Sequence, residues 1–161
     1  MEFQSEAQQA CYNKIAIWMK DLFGKFPCAR SDIPGLGLFM NSALVEVLIY
    51  PWEDDDTIIN TRSYVVKGVE ITQELMRFLL QENTQMYFGA FGIDDAGNIL
   101  FEHSIVGSTC DKKELEASVK AVLEIADEYD DLIVNKWGGE RALDRLQQIS
   151  ESPSKEAPAP N

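Results

Sequence analysis

The sequence predicts an α+β fold: an antiparallel β-sheet packed by helices, in the order α-β-β-β-α-β-β-α. Three observations lead there. Apolar residues recur at steps of three and four near the start of the chain and again from Leu115 to Ile133, which is the spacing of amphipathic helices. Ala43 to Tyr50 alternates with a period of two, as a strand does. Asp94-Asp95-Ala96-Gly97-Asn98 separates two short apolar runs, and a tight acidic turn in that position closes an antiparallel hairpin.

The first helix is expected from about Ser5 to Phe26, with Ala7, Cys11, Ile15, Trp18, Leu22 and Phe26 on one face. Gly24 weakens its end and Pro27 stops it. Pro34 and two glycines make Cys28 to Gly37 read as a loop. Leu36 to Met40 is a short strand, Asn41-Ser42 a turn, and Ala43 to Tyr50 a longer strand ended by Pro51 and the run Glu53 to Asp56. A further strand covers Thr57 to Val66, and Lys67-Gly68 turns the chain again. Thr72 is the expected N-cap of a helix over Gln73 to Glu82, with Glu74 near its positive end. Met86 to Ile93 and Ile99 to Val106 are the hairpin strands. Ser108 and Asp111 have the spacing of a capping box for the long helix that follows. Leu115, Val119, Val122, Ala126, Tyr129 and Ile133 form its buried stripe. Gly138-Gly139 breaks that helix after Trp137, and Glu140 to Ile149 reads as a short final helix. Residues 1–149 therefore make one domain, and the Pro-, Ser- and Ala-rich residues 150–161 are expected to be a disordered tail.

A chain of 161 residues is long enough to bury a core of its own. Its 45% hydrophobic and 25% charged residues are ordinary for a globular domain. The charge is not: 14 basic against 27 acidic residues leave −13. Such a field repels phosphate backbones and anionic lipid, so neither nucleic acid nor a membrane is an expected partner, whereas basic proteins or peptides are. Cys11, Cys28 and Cys110 cannot all pair within one chain, none lies in a CxxC, and His103 is the single histidine. That pattern is neither a disulfide scaffold nor a zinc site, and it favours a reducing, cytoplasmic setting. The opening MEFQSEAQQ is too acidic and polar to read as a secretory signal, and no stretch is apolar enough to span a membrane.

Little in the sequence carries reaction chemistry. Glu53-Asp54-Asp55-Asp56 offers the carboxylates that magnesium and calcium take, but without the alternating spacing and central glycine of a calcium loop. A solvated turn is the main reading, and a small hydrolase or metal-dependent enzyme using these acids is the alternative function. His103 has the chemistry of a general base toward Cys110 or Ser108, yet nothing resembles an exposed nucleophile turn, so packing is the better account. Cys110 is expected to feel a helix N-terminus that mildly lowers its pKa. Glu124, Asp127, Glu128, Asp130 and Asp131 read as a solvated face of the long helix, with a docking surface for a basic partner as the alternative. No catalytic residue, metal ligand or cofactor is assigned. One feature asks for more. Leu44, Leu48, Tyr50 and Trp52 alternate on the face opposite Val45, Val47 and Ile49, whereas a sheet covered on one side should be polar on the other. The second face is buried either under a helix of the same chain or in an interface with a partner, and the four residues are the candidate partner-binding set.

Leu75 to Leu80 with Asn83, then Phe88 to Phe91 and the acidic hairpin, then Ile99 to Glu102 and the helix reaching Tyr129-Asp130-Asp131, resemble the YbjN-like branch of the type III secretion chaperone-like family. Ser42 to Trp52, Gly107 to Cys110 and Trp137 to Gly139 are also similar to a family of small uncharacterised proteins from cyanobacteria and plastids. The resemblance implies a small acidic homodimer without catalytic residues, a chaperone- or assembly-factor-like module that holds an extended segment of a partner on apolar surface patches.

Overall fold

The computed structural model describes residues 2–144. Its elements are α1 (Glu6–Phe23), β1 (Pro27–Ala29), β2 (Gly35–Met40), β3 (Ala43–Trp52), β4 (Asp56–Lys67), α2 (Gln73–Asn83), β5 (Ala90–Ile93), β6 (Ile99–Val106), α3 (Lys112–Trp137) and β7 (Glu140–Arg141). The strands form one antiparallel sheet in the order β1-β2-β3-β4-β6-β5, with β7 beside the end of β4. Because β6 returns to pair with β4, β5 is left at the edge.

One continuous core holds the helices to one side of the sheet. Val45, Val47 and Ile49 of β3 lie on that side with Ile59 of β4 and Phe101 of β6. Ile15 and Met19 of α1, Leu75 and Leu79 of α2, and Leu115, Val119, Val122 and Ile133 of α3 close over them. Each such side chain contributes roughly 1.5–3 kcal/mol of apolar transfer, so the stripe at three- and four-residue spacing decides which way α3 faces. No described helix is long and apolar enough to cross a membrane.

Several boundaries differ from the sequence expectation, each for a local reason. Helix α1 stops at Phe23 because Gly24 takes φ 68°, which leaves Phe26 exposed. Its buried face is Gln8, Cys11, Tyr12, Ile15 and Met19, and the Gln8 amide donates to the Ile49 carbonyl at 2.7 Å. Part of the expected loop is strand: Pro27–Ala29 pairs with Leu36–Leu38, a place where proline is tolerated because it opens an edge strand. Gly35 serves close approach, since a Cβ there would lie 2.8 Å from Leu48 Cδ2. Pro51 does not end β3, because the Thr57 carbonyl opposite it accepts from the Gly107 N–H at 2.7 Å and needs no proline donor. Strand β5 begins only at Ala90, after Gly89 at φ 78°.

The N-cap of α3 is Asp111, whose carboxylate accepts the Glu114 N–H at 2.7 Å, and not Ser108. Glu140–Arg141 pairs with Val66-Lys67, and the expected final helix begins only after it, at Ala142. The rest of that expected helix, from residue 145, and the tail at 150–161 lie outside the described residues.

Candidate functional site

The face of the sheet turned away from the helices carries the candidate residues. Strand alternation puts Leu44, Glu46, Leu48, Tyr50 and Trp52 there, with Phe39 on β2 and Asn60 and Arg62 on β4 as neighbours. The four candidates do not share one environment. Tyr50 and Trp52 are each 40% exposed, Leu44 is half-buried, and Leu48 is only 1% exposed. Leu48 sits between its register partners Gly35 and Asn60, settled over the space the glycine leaves empty, so the chain itself buries it.

Polar groups occupy the middle of this face. The Glu46 carboxylate is buried and held by two guanidiniums: Arg62 Nε donates to its Oε2 at 3.0 Å, and Arg30 pairs with its Oε1. Arg30 also grips Asp32 through two bonds of 3.0 and 2.6 Å, which holds the Asp32 carboxyl down at about 2. Burying one carboxylate is tolerable because both of its oxygens are paired. On the next strands the Asn60 amide donates to Glu102 at 3.1 Å and to Ser104 Oγ at 3.0 Å. The face thus reads as an apolar end at Phe39 and Leu44, a fixed polar centre, and an aromatic end at Tyr50 and Trp52. Leu44 and Trp52 stand eight residue steps apart, or roughly 26 Å along the strand.

The remaining candidates do not assemble a reaction centre. Glu53 to Asp55 form the exposed β3–β4 turn, and Asp56 is tied down by the Ser108 hydroxyl at 2.6 Å and the Ser108 and Thr57 N–H groups, with the Ser108 bond chiefly lowering its pKa. Among the described residues no three His, Cys, Asp or Glu side chains gather as metal ligands do. His103 reaches neither Cys110 nor Ser108: its Nδ1 lies 2.9 Å from Ser118 Oγ on the core side, and burial pushes its pKa down. Cys110 runs opposite to the expectation. Burial raises its thiol to about 11, and its Sγ–H donates to the Asp111 carbonyl at 3.3 Å. In the late-α3 acidic cluster Glu124, Glu128 and Asp131 are exposed as expected, whereas Asp127 and Asp130 turn to Ser42, Asp127 half-buried and Asp130 buried.

Sequence reading missed the Arg30–Glu46–Arg62 network. Its trace was Glu46 itself, a charge inside an otherwise apolar alternation, but the two arginines come from segments 16 residues away on either side and only register brings them in. A second apolar surface was also missed. Met76 and Leu80 on α2 and Phe91 and Ile93 on β5 line a shallow groove of about 250 Å³, with Leu80 67% exposed. Beside it the Asn83 side chain takes both the N–H and the carbonyl of Phe91, at 2.7 and 3.3 Å, and so occupies the free edge of β5.

Residues 19–145 match the family model described as type III secretion system (YopN, CesT) and YbjN peptide-binding chaperone 1. The chain belongs to this family. Two solved structures share the fold. The crystal structure of the ExsC–ExsE complex aligns with TM-score 0.58 at 15% identity, over 80% of this chain and 96% of that one. YbjN from E. coli, described as a putative transcription regulator, aligns with TM-score 0.54 at 11% identity, over 75% and 92%. Comparison with curated proteins gives no match.

Proposed function

We propose that this chain is a non-enzymatic chaperone or assembly factor that holds an extended, apolar and basic segment of a partner protein on the open face of its sheet. The observation that carries the reading is the pair Tyr50 and Trp52, large rings left exposed at the end of a strand whose other face is core. Family membership supports peptide binding, and ExsC, which shares the fold, is known in complex with a second protein, ExsE. The net charge of −13 and the acidic β3–β4 turn beside Trp52 favour a basic partner. Leu44 and Phe39 provide the opposite apolar anchor, and Leu48 supports the face from beneath. Three free cysteines accord with a reducing, cytoplasmic setting.

The protein acts in this reading as a homodimer, joined through the α2–β5 groove. Asn83 blocks strand addition at Phe91, so the groove suits helix-to-helix packing by a second copy better than an extended peptide. The test of binding uses synthetic extended peptides, apolar–basic against apolar–acidic, with the double variant Tyr50→Asp, Trp52→Asp beside the wild type. The wild type should retain the basic set and the variant should not, with identical circular dichroism. A folded variant that binds as well as the wild type, or a wild type that prefers the acidic set, overturns the reading.

A further inference from the structure

The turn between β2 and β3 is docked on α3 by two aspartates that converge on one serine hydroxyl. Asn41, at φ 53°, and Ser42 make that two-residue turn. Ser42 Oγ lies 2.5 Å from Asp127 Oδ1 and 2.8 Å from Asp130 Oδ2, and the Ser42 N–H donates to the same Asp127 oxygen at 3.0 Å. A serine hydroxyl has a single hydrogen, and a carboxylate has none to give. Two ionised aspartates would have to share that single hydrogen in a three-centre bond, with two like charges held against one hydroxyl. The shorter contact, reinforced by the backbone N–H, marks Asp127 as the acceptor. Burial of Asp130 beside the Asp127 charge favours the other arrangement, a proton on Asp130 that donates to Ser42 Oγ.

We propose that the β2–β3 hairpin is latched to α3 by one shared proton: Asp130 donates to Ser42 Oγ, the Ser42 hydroxyl donates on to Asp127, and release of the Asp130 proton to water loosens the turn. Position on the helix accounts for the division of roles. Asp130 is 3% exposed, while Asp127 is half-buried. Burial raises the pKa of Asp130 and the bonds from Ser42 lower that of Asp127, in line with the assignment. The other charges bearing on Asp130 are Asp131 on α3, which favours the neutral form, and Arg141 on β7, which opposes it. Arg141 is itself engaged with Asp144 at 2.7 Å and with Asp131 at 3.5 Å. From the hairpin side the neutral Asn41 and Ser42 face the pair.

The folded chain thus keeps a proton that an unfolded one loses. The Asp130 part of the latch is complete below the ordinary aspartate range and disappears as pH rises through the raised value of Asp130. The Asp127 part is present above that range and is lost as pH falls through its lowered value. The same hairpin carries Phe39 and Leu44, so the latch also sets one end of the open face. That consequence rests on the proposed peptide reading; the latch does not, and its test reads the latch alone. In the full chain labelled with ¹³C, the Asp130 carboxyl is followed by NMR from about pH 3 to about pH 9. It should titrate above the exposed aspartates, and Asp127→Asn, which frees the Ser42 hydroxyl for Asp130, should move it down by about one pH unit. Asp130→Asn keeps a donor to Ser42 at every pH, so its melting temperature should exceed that of the wild type increasingly as pH rises. Titration of Asp130 together with the exposed carboxylates overturns the proposal, and so does a melting temperature of Asp130→Asn that tracks the wild type. The wild-type titration decides even where a variant fails to fold.

Discussion

Leu48 and Tyr50 stand two residues apart on the same face of β3, and their environments are opposite. Alternation places both side chains correctly but says nothing of what lies over them, because the space above Leu48 is shaped by Gly35 on the neighbouring strand. Leu48→Asp would bury an unpaired charge and should cost several kcal/mol, enough to unfold a domain whose whole stability is about 5–15 kcal/mol. Tyr50→Asp leaves its charge in water and should cost less than about 1 kcal/mol. Urea melts of the two single variants separate these outcomes, and equal midpoints would contradict the burial pattern. Cys110 shows the same limit of local reading. Its place just before a helix suggested a lowered pKa, yet burial raises it to about 11, which keeps it a thiol at neutral pH. Iodoacetamide at neutral pH should therefore label exposed Cys28 in the folded chain, and Cys11 and Cys110 only after denaturation. Rapid labelling of Cys110 in the folded chain would show that its burial is wrongly described.

At the level of elements, what was legible was what is local. The stripe Leu115 to Ile133, the hairpin closed by Asp94 and Gly97, and the N-cap at Thr72 all depend on residues within a few positions of one another, and all three stand as the sequence suggested. Strands β1 and β7 were not legible because three and two residues carry no periodicity, and remote partners alone make them strands. The start of α3 was ambiguous for a sharper reason. Ser108 with Asp111 and Asp111 with Glu114 have the same spacing, and the choice falls to Asp111 because Asp56 on β4 captures the Ser108 hydroxyl. Asp111→Ala should lower stability by about 1 kcal/mol, while Ser108→Ala should leave helix content unchanged and loosen only the tie to Asp56. Denaturant melts paired with far-UV circular dichroism check both, and a larger helix loss for Ser108→Ala would return the cap to Ser108.

For the whole molecule, the sheet order decides which surfaces are left to bind. Pairing of β6 with β4 puts the helices on one face, leaves the other uncovered chiefly at the Tyr50 and Trp52 end of β3, and leaves β5 at an edge that Asn83 partly occupies. The uncovered face was foreshadowed by its excess of apolar residues, but the α2–β5 groove was not, since Met76 and Leu80 read as one more turn of an amphipathic helix until its neighbours are placed. These two surfaces lie on different elements, so the proposed roles separate by mutation. Met76→Asp with Leu80→Asp introduces charge at side chains already 40% and 67% exposed, and the fold should survive it. If two copies pack α2 against α2, each charge appears twice in an isologous interface, so the variant should sediment as a monomer where the wild type sediments as a dimer. Capture of an apolar–basic peptide by the open face should persist in that monomer, because Tyr50 and Trp52 are untouched. The variant Tyr50→Asp, Trp52→Asp should do the reverse, remaining a dimer and losing the peptide. Analytical ultracentrifugation at several concentrations, with peptide binding measured on the same samples, reads both properties. A wild type that is monomeric throughout removes the dimer, and a dimer lost only when Tyr50 and Trp52 are changed would move it to the open face.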